Sequence, residues 1–209
     1  MRSVTDGSSR RPTRSASASG LSRVDVTEWS TERPTLPFAV LDVETTGLSP
    51  ATDRVIEIAV VRCAPDGTVV DEWSTLLDPG RDPGPTHIHG ITAADLDGAP
   101  TFADIAPELV ERLDGHMVTA HNLSFDESFL AAELASTSSA LPTTSSLCTL
   151  ELARHVLKDQ GRHTLAACAA TLDISHENAH RALADTRVTA AVLAAMLERL
   201  HPAQGSLFD

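Results

Sequence analysis

The apolar residues of this chain fall into two periods, and the change from one to the other marks out its elements. Runs at residues 37–43, 54–62 and 69–77 have the length of strands, and the second, with Val55, Ile56, Ile58, Val60 and Val61, has their β-branched bulk. Pro65-Asp66-Gly67 between the second and third runs is a turn, which makes that pair an antiparallel hairpin. From residue 101 the period becomes helical. Phe102, Ile105, Ala106, Leu109, Val110 and Leu113 recur at three- and four-residue spacing and predict a helix over 101–113. A short strand at 117–121 follows, then helices over 124–134, 148–157, 164–172 and 181–200, with 138–146 as a small-polar loop. Strands that begin as a hairpin and then alternate with helices, with room for a fifth strand between the helices over 124–134 and 148–157, predict an α/β protein with a mixed five-stranded sheet flanked by helices.

The ends differ from this body. Residues 1–35 are rich in Ser, Arg, Thr and Pro and carry few large apolar side chains. Such a segment buries too little surface to offset its ordering entropy, so it is expected to be a disordered, mildly basic tail. The folded domain then runs over 36–201, and 202–209 form a second tail. No apolar run reaches the length of a membrane span, and the N-terminus lacks the apolar stretch of a secretory signal. Cys63, Cys148 and Cys168 are odd in number and match no zinc spacing, which reads as reduced thiols in a cytoplasmic protein.

A net charge of −13 argues against a broad basic face that grips long nucleic acid. It leaves room for a short end held in a metal-lined cleft, because bound divalent ions reverse the sign locally. The acids themselves suggest where. In Phe38-Ala-Val-Leu-Asp-Val-Glu-Thr-Thr-Gly-Leu48, strand alternation puts Asp42 and Glu44 on one face and sends Leu41 and Val43 into a core on the other. Two carboxylates side by side at the end of an apolar strand repel each other. Either they are solvated at an edge, or a hard divalent cation compensates them.

Two later segments add acids at strand and helix ends. In Ala120-His121-Asn122-Leu123-Ser124-Phe125-Asp126, a strand gives way to a helix, with Ser124 and Glu127 spaced for a capping box. Asp126 would then lie in the first turn, either as an ordinary N-terminal acid or aimed over the strand ends, where α/β folds place their sites. In His180-Arg181-Ala182-Leu183-Ala184-Asp185, residues 180 and 185 would lie about 140° apart on one helix and could not share a site. His180 is therefore expected before the helix, on a loop, with Asp185 in the first turns.

Together these three segments resemble the exonuclease motifs of the DEDDh 3′→5′ exonuclease superfamily, whose best-known member is the proofreading subunit of bacterial DNA polymerase III. The resemblance covers about residues 38–200 and includes Thr45-Thr46-Gly47-Leu48 and His89-Gly90-Ile91-Thr92. It implies an RNase-H-like fold and a two-metal hydrolase using Mg²⁺, with Mn²⁺ able to substitute. Asp42, Glu44 and Asp185 would hold the first ion, Asp42 would bridge to the second, and Asp126 would support that one. His180 would be the general base. Thr45, Gly47 and Leu48 would meet the terminal nucleotide, with His89, Asn122 and Phe125 as further substrate contacts, although a helical Phe125 also reads as packing. Family members often carry a Glu where this chain has Gly84, so that contact is absent or replaced. The remaining His residues, His176 among them, receive no role.

The expected activity is release of nucleoside monophosphates from single-stranded DNA 3′ ends. The rivals are an exoribonuclease acting on short RNA and a non-enzymatic adaptor tethered to a polymerase or a sliding clamp, which would not need all five catalytic positions. Gln204, Leu207 and Phe208 near the C-terminus resemble the Gln-x-x-Leu-Phe peptide that docks bacterial proteins on the β sliding clamp.

Overall fold

A computed structural model describes residues 15–16, 20–27, 34–177 and 179–202, residues 15–16 by their backbone alone. The strands are β1 (Ser15–Ala16), β2 (Ser22–Arg23), β3 (Phe38–Thr45), β4 (Val55–Cys63), β5 (Val69–Leu76), β6 (Met117–Ala120) and β7 (Ser145–Cys148). The helices are α1 (Thr86–His89), α2 (Phe102–Leu113), α3 (Leu123–Leu134), α4 (Thr149–Val156), α5 (Leu165–Thr171) and α6 (Ala182–Leu200). The strands form one mixed sheet in the order β1-β2-β7-β6-β3-β4-β5. β3, β4 and β5 are antiparallel neighbours, while β6 pairs parallel to β3 and β7 parallel to β6.

β3 and β4 are apolar on both sides because the sheet is covered on both sides. Ala39, Leu41 and Val43 join Leu109, Leu113, Phe129 and Leu130 of α2 and α3 in one core. Phe38 and Val40 face the other way, against Val192, Leu193 and Met196 of α6. Asp42 and Glu44 share the parity of Phe38 and Val40, so they lie on the α6 side, at the end where the strands finish. Among the described residues no helix is long and apolar enough to cross a membrane.

The sheet is wider than expected at one edge. Ser145–Cys148 is the fifth strand that the element order left room for between two helices, and it is buried, although its residues read as the end of a small-polar loop and a helix start. Its serines carry little hydrophobic signal, but Val118 to Ala120 offer a parallel ladder to residues 146–148. Beyond it, Ser22 and Arg23 add a further parallel strand on Ser145 and Ser146. Leu21 is 1% exposed and belongs to the core, and Val24 and Val26 are buried too. The folded chain thus includes residues 20–27, which the composition of 1–35 had assigned to a disordered tail. A few apolar residues in a polar segment suffice where a sheet edge supplies the hydrogen bonds. The peptide at 204–208 lies outside the described residues.

Candidate active site

Four carboxylates converge at the ends of β3, α3 and α6. The β3–β4 register shifts between Glu44 and Thr45, so a bulge follows the two acids directly before the pairing resumes at Thr45 with Val55. Asp42 titrates well above the ordinary carboxylate range, first through burial and then through repulsion by Asp126, Glu44, Asp185 and Glu57. Glu44 is raised to about 7 by burial and by Asp185 and Glu57, against the opposing charge of Arg181. Asp126, 3% exposed in the first turn of α3, is raised to about 8 by burial, although hydrogen bonds from its own backbone N–H and that of Val43 favour its ionised form. The first-turn placement of Asp126 is as expected, but the Ser124 capping box does not form. α3 begins at Leu123 behind a left-handed Asn122 at φ 70° with no side-chain cap, and Glu127 turns to Arg23 at 3.3 Å.

His180 and Asp185 take the positions that their spacing requires. His180 lies two residues before α6 in the left-handed region at φ 66°, and Asp185 is in the helix's first turn. The His180 backbone N–H donates to Asp185 Oδ2 at 3.1 Å, closing the loop on the helix. One ligand atom each from Glu44, His180 and Asp185 can be chosen so that all lie within 4.8 Å of one another. Three such donors beside the buried Asp126 and the half-buried Asp42 are a largely anionic, oxygen-rich set that suits a divalent cation.

Two residues of this neighbourhood escaped the sequence reading. His176 donates from Nε2 to Asp185 Oδ1 at 2.6 Å, so both oxygens of that carboxylate are engaged. Glu57, 4% exposed on β4 and directly opposite Glu44, binds Arg181 through both carboxylate oxygens and accepts the Ala182 backbone N–H at 2.9 Å. A lone Glu in the apolar run Val55–Ile58 was the available signal, since an acid in a buried strand needs a partner.

The expected substrate contacts separate into surface and interior. Leu48 is 85% exposed at the tip of the turn. The Thr45 hydroxyl donates to the Gly47 carbonyl at 2.6 Å, and Asp53 accepts from Thr46 Oγ1 and from the Ser49 N–H, so the turn is stitched from within. A side chain at Gly47 would run into that Asp53 carboxylate. Gly84, at φ +84°, packs against the backbone of Thr46, and a Cβ there would strike the Thr46 carbonyl. Any larger residue at 84 is therefore excluded by the approach of its loop to the turn. Asn122 is exposed, whereas Phe125 stacks on Phe129 with centroids 5.0 Å apart and packs on the core, as the packing alternative had it. His89 is 3% exposed, and its Nδ1 accepts the Ile91 N–H at 3.0 Å. The three cysteines are buried and free.

Comparison with known proteins fits this geometry. The exonuclease family model RNase_T matches residues 39–193, a span that holds the four acids and the imidazole of the cluster. The PolC-type DNA polymerase III of Clostridium perfringens is 35% identical over 158 residues, covering 75% of this chain and 11% of the polymerase. The 3′-5′ exonuclease DinG of Bacillus subtilis is 34% identical over 168 residues, covering 78% of this chain and 18% of that protein. The chain thus spans less than a fifth of either relative. Among solved structures, exonuclease X in complex with 5′ overhanging duplex DNA superposes with a TM-score of 0.63 at 28% identity, covering 77% of this chain and 91% of that one. The Escherichia coli exonuclease I–single-stranded DNA complex with zinc gives 0.70 at 22% identity, covering 81% and 42%, which speaks to the fold alone.

Proposed function

The chain therefore belongs to the exonuclease family, and we propose that it is a metal-dependent 3′→5′ exonuclease that releases nucleoside monophosphates from the ends of single-stranded DNA. The observation that carries this reading is the convergence of Glu44, His180 and Asp185 on one point, with Asp42 and Asp126 beside it. Asp42, Glu44 and Asp185 would hold a first Mg²⁺ or Mn²⁺ ion, and Asp42 and Asp126 a second. Such a pair of ions supplies charge stabilisation to both the attacking and the leaving oxygen of a phosphoryl transfer. The exposed imidazole of His180, beside the metal-binding acids, would take the proton of the attacking water as general base. Its loop position lets substrate enter between it and the strand ends. Thr45, Gly47 and Leu48 would receive the terminal nucleotide, with Leu48 as an apolar wedge. DNA rather than RNA is favoured because the relatives include DNA polymerases and the 28% identical neighbour was solved on DNA.

The test is hydrolysis of 3′-labelled single-stranded DNA and RNA of one sequence, with Mg²⁺, with Mn²⁺ and with EDTA. Metal-dependent loss of 3′ nucleotides from DNA supports the reading. Faster loss from RNA transfers it to RNA processing, and no loss from either by the folded protein turns it into the adaptor. We further propose that Gln204, Leu207 and Phe208 dock on a sliding clamp, and co-elution of the full chain with the clamp, lost on Leu207→Ala with Phe208→Ala, tests it.

A further inference from the structure

A cleft of about 650 Å³ opens where β6 ends, at His121 and Asn122. Arg154 on α4 and Arg162 and His163 on the loop that follows it line the same cleft. Both arginines are exposed, and among the described residues neither has a carboxylate within ion-pair distance. That runs against the composition, which sets 29 acids against 16 bases. Glu151, three residues before Arg154 on α4, is spaced to pair with it. It turns instead to Arg23, at 3.3 Å. Two guanidinium groups are thus left uncompensated in one concavity of an acidic protein.

The cleft is also held in shape. His121 Nε2 donates to the His163 carbonyl at 2.9 Å, and its Nδ1 meets the Thr149 hydroxyl at 3.1 Å. His163 Nε2 donates to the Leu157 carbonyl at 3.1 Å, and the Gln160 amide donates to the Arg162 carbonyl. These bonds tie the loop that carries Arg162 to the end of β6. The position is adjacent to the carboxylate cluster: Asn122 precedes α3, whose first turn holds Asp126, and β6 lies beside β3.

We propose that this cleft binds the phosphodiester backbone of single-stranded DNA upstream of its 3′ end, with Arg154 and Arg162 each on a phosphate. The proposal rests on the nuclease reading of the carboxylate site and extends it to the path of the strand. Arginine suits the role, because its planar fork meets two phosphate oxygens at once. The two proposed contacts are to phosphates, so the affinity that they supply is independent of sequence.

The test compares wild type with Arg154→Glu/Arg162→Glu on two substrates. One is a single-stranded DNA oligomer; the other is the p-nitrophenyl ester of thymidine 5′-monophosphate, which has no upstream phosphate. The variant is expected to lose tenfold or more in kcat/KM on the oligomer relative to the ester. Its salt dependence should flatten by about 1.4 units of slope, since two single-strand phosphate contacts are lost and each contributes about 0.7. Binding of a 5′-fluorescein oligomer in EDTA, read by anisotropy, should weaken in parallel. An unchanged oligomer-to-ester ratio with unchanged anisotropy overturns the cleft proposal while ester hydrolysis leaves the active site standing. A wild type inactive on both substrates overturns the nuclease reading, and the anisotropy arm then decides the cleft by itself.

Discussion

Glu57 and Arg181, 124 residues apart in the chain, meet across the α6 face of the sheet, with Arg181 Nε within 3.3 Å of both Glu57 oxygens and Nη2 at 3.0 Å from one of them. The same carboxylate accepts the Ala182 N–H, so one buried acid anchors both the residue after His180 and the first residue of α6. Among the described residues, the anchor of His180 itself is its N–H to Asp185. Glu57 thus acts as a positioning residue on the loop that carries His180.

Glu57→Gln should keep one acceptor for the Ala182 N–H and lose the charged fork. Loss of a charge-assisted bond of this kind costs about 1.5–3 kcal/mol in stability. Activity should fall by tenfold or more through kcat, with KM little changed, because His180 is displaced rather than the substrate contacts. Steady-state kinetics on a DNA oligomer, with circular dichroism to confirm the fold, reads this. A variant equally stable and equally active would show that the pair is ornamental.

Asp42→Asn should abolish hydrolysis and yet stabilise the metal-free protein. Asp42 is raised by burial and by four neighbouring carboxylates, so replacing it removes repulsion that the fold sustains. Each kcal/mol of relief appears as about 2–4 °C in Tm for a domain of this size. The measurement is Tm in EDTA beside activity in Mg²⁺. A lower Tm in EDTA would mean that the carboxylate makes a net favourable contact, and retained activity would remove it from the metal site.

The acids were legible because their chemistry forces a pattern: Asp42 and Glu44 two apart on a strand, Asp126 at a helix start, His180 and Asp185 too far round a helix to share a site unless one leaves it. The α/β architecture was legible for the same reason, since period fixes element type. What stayed hidden depended on contacts rather than on period. Glu57 reads as one acid in an apolar run until Arg181 is placed beside it. The buried serines of Ser145–Cys148 have no strand signature apart from the β6 ladder. Leu21, Val24 and Val26 look too sparse to fold until they meet that same edge. His176 sits nine residues from Asp185 in a loop, and no spacing rule links them.

Metal binding and stability should be coupled through pH. Glu44, at about 7, and Asp126, at about 8, both titrate above their ordinary values of 4.5 and 3.8. A carboxyl with a raised folded pKa holds its proton longer in the native state than in the unfolded one. The native state then binds more protons, and stability falls as pH rises through that interval. Metal-free protein should therefore lose Tm from about pH 4 to about pH 8, the window set by the unfolded and folded values. A divalent ion binds the ionised ligands, so its stabilisation should grow over the same range. Thermal melts in EDTA and in millimolar Mg²⁺ across this range read the difference. A Tm gain from Mg²⁺ that does not change with pH would detach these two acids from the ion.

Gly84→Ala should disturb the turn proposed to receive the substrate without touching a single acid. The φ of +84° is strained for any residue with a Cβ, and that Cβ would strike the Thr46 carbonyl. Relief requires the 84 loop or the 45–48 turn to move, at a cost of roughly 1–3 kcal/mol. Thr46 is tied to Arg54 through its backbone and to Asp53 through its hydroxyl, so displacement is passed to Gly47 and Leu48. KM for a DNA oligomer should rise several-fold, while the Mg²⁺-induced gain in Tm stays as in wild type because the carboxylates are unmoved. An unchanged KM in a destabilised variant would show that the loop gives way instead of the turn, and that Leu48 takes its position independently of Gly84.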